Sequence, residues 1–308
     1  MWTTFLSGWN KTQPTPSPSD PFTTYKVHPP LAPPKGPLHM KARRTLLSRL
    51  VGGRLVVVLL TLTGCCVHAD EIGVLYALDA DWQKLKGDTA ASVNTVGDTV
   101  IQTVKLGPHS VRGVRMGAGN VETAINASRL LAKFPCDWVV SLGPAGALRV
   151  DLPAGALFVA KEVVGYQRGT WSGQGWSLSP AAQIKPQLPG VMLQQSFPWK
   201  NADKIVLASG DAFVANRQER DNIRTMTGAD SVDMNSFGAA LACDKGKVPL
   251  LVLKFRSDAA DEDAAEDFKK FIAAYNGHHG IQLRDWIATL PPSPESPQAY
   301  DNIKRLLE

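Results

Sequence analysis

This sequence has few cysteines and few long apolar runs. Beyond the N-terminal region it also has no surplus of basic residues. The apolar run at 55–62 is too short to span a bilayer comfortably. Residues 1–69 hold eight of the 33 Lys and Arg residues and one acid, which leaves 25 basic and 27 acidic residues from Asp70 onward. The net charge of +5 therefore predicts no polyanion-binding surface, and nucleic acid is not an expected partner. Cys136 and Cys243 are far apart, which favours buried thiols over a disulfide.

The first 69 residues differ in composition from the rest of the chain. Residues 1–39 contain nine of the 22 prolines and no apolar periodicity, so we interpret them as a disordered or untranslated extension. Residues 40–69 follow the export-signal pattern, because a basic region precedes the apolar run at 55–62. We infer that Met40 is the natural start, and that residues 70–308 form the functional domain.

Two cleavage sites are compatible with this export signal. The segment Leu62-Thr63-Gly64-Cys65 resembles the lipobox of bacterial lipoproteins, which implies lipidation of Cys65 and membrane anchoring. The segment Val67-His68-Ala69 is an alternative site for ordinary cleavage. Both predict an exported, periplasmic protein, and a retained anchor or no export stays open as a third interpretation.

From residue 71 onward, short apolar runs alternate with amphipathic segments. Predicted strands lie at 71–77, 99–104, 113–116, 137–142, 156–164, 204–208, 231–234 and 250–255, and predicted helices follow several of them. This alternation predicts an α/β fold with a largely parallel sheet. The segment 166–202, rich in Gly, Pro, Gln and Trp, is predicted to be an irregular insertion that covers a site or contacts a partner subunit, or else a surface loop.

The strand at 250–255 is followed by the polar residues Ser257 and Asp258. Ligands of open α/β sheets bind outside the carboxyl ends of strands, which makes these two residues candidates for a site. The alternative is that one of them caps the helix that follows. Asp81, just past the first strand, has the same two interpretations. The glycine turn 117–120 precedes a helix and favours binding of an anion or a catalytic water, but it matches neither a dinucleotide fingerprint nor a P-loop.

Six motifs occur in an order and spacing that resemble one family. They are Ile72-Gly73-Val74 with Asp81, Gly117-Ala118-Gly119-Asn120-Val121 with Ala124, Gly143-Pro144-Ala145-Gly146-Ala147-Leu148, Ser209-Gly210-Asp211-Ala212-Phe213, Asp233-Met234, and Arg256-Ser257-Asp258-Ala259-Ala260-Asp261. Together they resemble the nucleoside phosphorylase superfamily, and within it the methylthioadenosine/S-adenosylhomocysteine nucleosidases. The resemblance implies a three-layer αβα domain around a mixed, largely parallel sheet, and cleavage of the N-glycosidic bond of a purine nucleoside.

The resemblance also implies roles for individual residues. Asp258 matches the aspartate that donates a proton to N7 of the departing purine, and Ser257 would position its carboxyl. Asp81 stands where the nucleosidases carry a glutamate that orients the attacking water, and it is one methylene shorter. No metal and no cofactor are implied.

Substrate-binding roles follow in the same way. Phe213 would stack on the purine, backbone groups of Val214 would contact its edge, and Met234 would lie under the ribose. Asn235 stands at the position of a ribose-binding glutamate. The remaining implied substrate contacts are Gly117, Ala145 and Gly146.

This sequence departs from the family at two positions. Asn235 replaces a charged glutamate by a neutral amide, which is expected to weaken ribose binding by roughly 1.5–3 kcal/mol. Pro144 replaces the usual Ser or Thr and removes a hydroxyl and an amide donor. Donors of this kind bind phosphate in the phosphorylases, so hydrolysis is favoured over phosphorolysis. A relative that binds a nucleoside without cleaving it remains the alternative, and the resemblance implies a homodimer.

Overall fold

The structure, a computed structural model, describes residues 67–193, 197–291 and 293–294. Within them the strands are β1 Val67–His68, β2 Glu71–Tyr76, β3 Ser92–Val96, β4 Thr99–Leu106, β5 His109–Arg115, β6 Trp138–Ala147, β7 Leu157–Gly165, β8 Gly169–Ser172, β9 Gly175–Leu178, β10 Gln183–Ile184, β11 Lys204–Ser209, β12 Ser231–Asp233, β13 Leu250–Asp258 and β14 Ser293–Pro294. The α-helices there are α1 Asp79–Lys86, α2 Asn120–Lys133, α3 Arg217–Thr227, α4 Ser236–Gly246, α5 Ala264–Ala274 and α6 His278–Thr289. The predicted extension at 1–39 and Cys65 lie outside the described residues, as does the export signal apart from 67–69.

A ten-stranded sheet lies at the centre of the domain. Its strand order is β10-β7-β11-β12-β6-β2-β5-β4-β3, and β13 pairs with both β6 and β7. Strands β5, β2, β6 and β13 run parallel to one another. Strands β12 and β4 run antiparallel to their neighbours β6 and β5. The sheet is mixed, and the predicted α/β fold is confirmed.

Helices pack on both faces of this sheet, as the paired strands β2 and β5 demonstrate. Gly73 pairs with Arg112, and a Cβ on Gly73 would lie 3.1 Å from the side chain of Leu130 in α2. The next residue of β5, Gly113, faces the other side because side chains alternate along a strand. A Cβ there would overlap the ring of Trp82 in α1. Helices α1 and α2 therefore form separate layers, which gives the αβα arrangement.

Strand β13 is buried along almost its whole length. Its apolar residues Leu250, Leu251, Val252, Leu253 and Phe255 are at most 1% exposed. A strand covered by helices on both faces is expected to be continuously apolar. Its carboxyl end is therefore fixed by the core, which positions the polar residues that follow.

Some elements of the domain are not predicted by the sequence. Strand β3 lies in a polar stretch, and all but two of its side chains are exposed. The insertion at 166–202 is partly regular, because it contains the antiparallel hairpin β8–β9 and the short strand β10 at the sheet edge. In the described part of the chain, no helix has the length and apolar character needed to cross a bilayer.

Candidate active site

Asp258 ends β13 and lies against Gly146 of β6. The register of these strands shifts between Arg256 and Asp258, and Asp258 is only 5% exposed. Its Oδ2 accepts a 2.8 Å hydrogen bond from Ser257 Oγ, and its Oδ1 accepts one of 2.9 Å from the Ala260 backbone. A Cβ on Gly146 would lie 2.7 Å from Oδ1. A glycine is therefore required for the carboxyl to occupy this position.

The helix-capping alternative for these two residues is wrong. Helix α5 begins at Ala264, with Asp263 at its N-cap. Ser257 and Asp258 belong to the strand instead. Besides contacting Asp258, the Ser257 hydroxyl lies 3.3 Å from the carbonyl oxygen of Ala145 in β6.

The surroundings of Asp258 favour its protonated form. Burial raises the pKa of the Asp258 carboxyl, and the hydrogen bonds from Ser257 and Ala260 together with the Arg256 charge oppose this effect without cancelling it. A carboxylic acid with a raised pKa keeps its proton to a higher pH, which is the requirement for a general acid.

Asp81 lies in the first turn of α1 and is 1% exposed. Its Oδ1 accepts a 2.5 Å hydrogen bond from the Tyr275 hydroxyl. Its Oδ2 is buried and accepts no hydrogen bond from the described residues. Burial raises the pKa of Asp81 to about 6, against the opposing effects of Tyr275, the Gly280 backbone and the Lys254 charge. Asp81 therefore does not cap its helix, and a buried carboxylate with a free oxygen is a candidate base.

A buried ion pair that the sequence did not predict connects β13 to β12. Lys254 Nζ lies 2.8 Å from Asp233 Oδ2, and both side chains are at most 1% exposed. Burial opposes ionisation of Asp233, but the Lys254 charge and the hydrogen bond from the Ser236 hydroxyl outweigh it and lower the pKa. A lone lysine in an apolar run is the sequence signal that indicates such a pair.

Met234 and Asn235 follow this ion pair at the start of α4. Both are buried, at 8% and 5% exposure. The Asn235 Nδ2 group donates to the Gly117 carbonyl at 2.8 Å and to Thr123 Oγ1 at 3.2 Å. Both amide hydrogens of Asn235 therefore have partners within the protein, and its Oδ1 is the atom left to accept a hydrogen bond.

The glycine turn 117–120 does not present all its amides to a ligand. The Ala118 amide donates to Glu122 Oε2 at 3.0 Å, and the Asn120 amide donates to Asp211 Oδ1. Two carboxylates of the chain thus take the positions that an anion would take. The prediction of an anion site at these two amides is wrong, because the sequence does not reveal which acids fold back onto the turn.

Phe213 and Val214 follow β11 on the loop before α3. Val214 is buried, and Phe213 is partly buried with its ring edge-to-face on Phe268 at a centroid distance of 5.8 Å. The loop is fixed by the Asp211 amide, which donates to Gln167 Oε1 at 2.6 Å. Phe213 therefore retains an accessible ring on a positioned loop.

The predicted site residues form two groups, one at the ends of β11, β12 and β13 and the other at Asp81. Asp258 and Val232 both pair with Gly146, and Ser209 pairs with Asp233, so the ends of β13, β12 and β11 lie together. The Lys254 charge acts on both groups, because it pairs with Asp233 and lowers the pKa of Asp81. Among the described residues no cluster of three or more potential ligands could hold a metal ion. Cys136 and Cys243 are free and buried.

Comparisons with known proteins place this chain in a family. Residues 71–281 match the family model described as the phosphorylase superfamily. A 5′-methylthioadenosine/S-adenosylhomocysteine nucleosidase of Exiguobacterium is 26% identical over 215 residues, which cover 66% of this chain and 91% of the relative. One from Staphylococcus aureus is 26% identical over 212 residues, which cover 65% and 92%.

Solved structures agree with this assignment at the level of the fold. A Helicobacter pylori nucleosidase of the same name superposes with a TM-score of 0.65 at 22% identity, covering 72% of this chain and all of that one. A futalosine hydrolase from the same organism gives a TM-score of 0.65 at 21% identity, covering 72% and 99%. The fold, the ordered motifs and the match over 71–281 lead to one conclusion: the chain belongs to the phosphorylase superfamily.

Proposed function

We propose that this protein hydrolyses the N-glycosidic bond of a purine nucleoside or of a 5′-substituted adenosine. The observation that carries the proposal is the buried Asp258 carboxyl at the end of β13, whose pKa is raised by burial. Relatives named as nucleosidases and a structural neighbour named as a futalosine hydrolase support the same reaction class.

In the proposed reaction Asp258 begins protonated and Asp81 begins ionised. Asp258 donates its proton to N7 of the purine as the C1′–N9 bond breaks, which makes the base a better leaving group. Water attacks C1′ and gives a proton to Asp81. Exchange with solvent then restores both groups. Ser257 holds the Asp258 carboxyl in position at 2.8 Å.

The substrate would lie between Phe213 and the ends of β6 and β12. Phe213 offers a ring for stacking on the base, and Val214 offers backbone groups. Met234 and Asn235 would contact the sugar, with Asn235 Oδ1 accepting from one ribose hydroxyl. Gly117, Ala145 and Gly146 would complete the site, as residues that let the substrate approach the backbone.

Hydrolysis is favoured over phosphorolysis by two features. Pro144 has no amide hydrogen to donate to an anion. The amides of Ala118 and Asn120 donate to Glu122 and Asp211, and a phosphate there would meet two carboxylates. We therefore expect water to be the acceptor.

We also propose that residues 40–69 form an export signal, that Cys65 is lipidated, and that the protein is a periplasmic homodimer. Strand β1 (Val67–His68) pairs with β14 (Ser293–Pro294). Cleavage before Cys65 would keep β1 in the mature protein, whereas cleavage after Ala69 would remove it, and this supports the lipoprotein alternative. Mass spectrometry of the mature N-terminus distinguishes the two, and an unmodified Asp70 terminus would contradict lipidation.

The reaction is tested by a panel of purine nucleosides and 5′-substituted adenosines, with and without phosphate. We expect release of free base in phosphate-free buffer. Release only with phosphate would indicate a phosphorylase. A melting shift without release would indicate a protein that binds the nucleoside without cleaving it.

Replacement of the proposed acid provides the sharper test. Asp258→Asn removes the transferable proton and is expected to lower kcat by at least about a hundredfold, while ligand binding measured by melting shift is retained. Asp263→Asn is the matched control, because Asp263 is exposed and lies at the N-cap of α5, just after the strand that ends at Asp258. Equal kcat values in Asp258→Asn and wild type would refute the acid role.

A further inference from the structure

Tyr275 directly follows α5 and contacts Asp81 across 194 residues of sequence. Its hydroxyl donates a 2.5 Å hydrogen bond to Asp81 Oδ1. Its ring stacks on Phe255 and Phe271 at centroid distances of 5.0 and 5.3 Å. Phe255 belongs to β13, the strand that ends at Asp258. One aromatic ring therefore connects Asp81 to the strand that carries the proposed acid.

The two oxygens of Asp81 differ in their surroundings. Oδ1 accepts the hydrogen bond from Tyr275, whereas Oδ2 is buried and no donor among the described residues meets hydrogen-bond geometry with it, although the Gly280 backbone is near enough to lower the pKa of the carboxyl. A buried carboxylate oxygen without a donor is unfavourable and is seldom retained without a function. Because Tyr275 holds Oδ1, the carboxylate cannot rotate freely, and Oδ2 keeps one direction.

The charged and titratable groups around Asp81 come from neighbouring elements. Lys254 of β13 and the Tyr275 hydroxyl act on Asp81 directly. His278 and His279 of α6 lie against the Tyr275 ring, and Arg284 of α6 donates to the Lys84 carbonyl of α1. Burial lowers the pKa of His279 to about 4, so this imidazole is neutral at neutral pH. Burial and the Asp81 charge raise the pKa of Tyr275, so its hydroxyl stays a donor.

We propose that Tyr275 is a positioning residue, which fixes Asp81 so that Oδ2 accepts the proton of the attacking water. This inference rests on the proposed function. As the water oxygen bonds to C1′ and the C1′–N9 bond breaks, one water proton passes to Asp81 Oδ2 and the purine takes its N7 proton from Asp258. Tyr275 keeps its own proton throughout and touches neither water nor substrate.

Tyr275→Phe tests this role, because it keeps the stacked ring and removes only the hydroxyl. Asp81 must be ionised to act as a base, so activity is lost as the pH falls through its pKa. Without the phenol hydrogen bond the ionised form is less favoured, and the acidic limb of the pH profile of kcat/KM should move up by about one unit. At neutral pH we expect kcat to fall between about tenfold and a hundredfold.

Two further variants separate positioning from a structural role. In the Asp81→Asn background, Tyr275→Phe should cause no additional loss of kcat, because its effect passes through Asp81. Thr289→Val removes a hydroxyl hydrogen bond of 2.7 Å from α6 without contacting Asp81, and its pH profile should match wild type. An unchanged pH profile in Tyr275→Phe, or an equal loss at every pH, would overturn the proposal.

A titration that does not depend on turnover keeps the inference distinct from the proposed function. The carboxyl signal of Asp81 is observed by NMR in carbon-13-labelled protein and is assigned by its absence from the spectrum of Asp81→Asn. This signal should titrate at a higher pH in Tyr275→Phe than in wild type. If wild type releases no base, the hydrolase proposal fails while this titration still decides the Tyr275 contact. An identical Asp81 titration in both proteins would contradict the inference.

Discussion

Asn235 illustrates, at the scale of one residue, how an amide differs from the carboxylate that the family resemblance implies. Its Nδ2 donates to the Gly117 carbonyl and to Thr123 Oγ1, which ties the start of α4 to the turn before α2. A carboxylate has no hydrogens for these two acceptors. Asn235 therefore has a structural role in addition to its proposed contact with the sugar.

The isosteric change Asn235→Asp tests this structural role. It leaves the Gly117 carbonyl without its donor and places a negative charge beside it, so we expect a loss of about 1–3 kcal/mol in the free energy of unfolding. Urea denaturation measures the difference. Asn216→Asp is the control, because the hydrogen bond that the Asn216 side chain makes within the described part of the chain uses its oxygen, which accepts from the Glu219 amide, and its stability should be unchanged. Equal stabilities in the two variants would contradict the assigned hydrogen bonds.

Sequence reasoning found Asp258 and Asp81 because both are polar residues that follow apolar strands. It did not find Tyr275, which reaches Asp81 from 194 residues away, or the partner of Lys254. Such contacts depend on the packing of elements that no local pattern specifies. The same reason explains why Glu122 and Asp211 were not predicted to occupy the amides of the glycine turn.

At the scale of secondary structure, the pairing of β6 with β13 determines where the proposed acid lies. Gly146 of β6 is opposite Asp258, and Ala260 is close to both. The local fold depends on the absence of a side chain at this one position. A substitution in β6 is thus expected to act on the end of β13.

Gly146→Ala places a methyl group 2.7 Å from Asp258 Oδ1 and 3.2 Å from Ala260 Cβ. The carboxyl must move, and a displacement of this size is expected to lower kcat/KM by about a hundredfold. The accompanying loss of stability should be about 1–3 kcal/mol. Gly246→Ala at the end of α4 is the matched control, since the nearest atom is 3.4 Å away. Equal kcat/KM values in the two variants would show that Asp258 tolerates the methyl group.

Helices and strands were predicted well where one apolar pattern dominates the segment. The buried strand β13 was recognised from its apolar run at 250–255, and it extends from Leu250 to Asp258. Strands β3 and β8 were missed because their side chains are largely exposed. An edge strand or surface hairpin that buries little apolar area has no strong alternation in sequence. The order of central elements was therefore predictable, and the sheet margins were not.

At the scale of the whole molecule, the buried Asp81 carboxylate is expected to lower the free energy of unfolding at neutral and alkaline pH. Its pKa is raised to about 6 in the folded protein, above an ordinary value near 3.9. The folded state therefore binds the proton more tightly, and this contribution to stability is present below about pH 4 and is lost as the pH rises through about 6. A neutral residue at position 81 avoids the loss.

Asp81→Asn should therefore be more stable than wild type by about 2–3 kcal/mol at pH 8. The difference should shrink as the pH falls toward 4. Thermal unfolding at a series of pH values measures it, and the hydrolytic activity of the variant should fall to a low but measurable level. Asp263→Asn, at an exposed position, is expected to show no such dependence. A variant less stable than wild type at pH 8 would contradict the raised pKa of this buried carboxyl.

The pairing of β6 with β13 also bears on the kinetics of folding. Trp138–Ala147 and Leu250–Asp258 are separated by about a hundred residues, and closing so long a loop before its contacts form is slow. Asp258, the proposed acid, reaches its place only when the last third of the domain joins the first. Recovery of turnover after dilution from denaturant should consequently lag behind the return of helical signal.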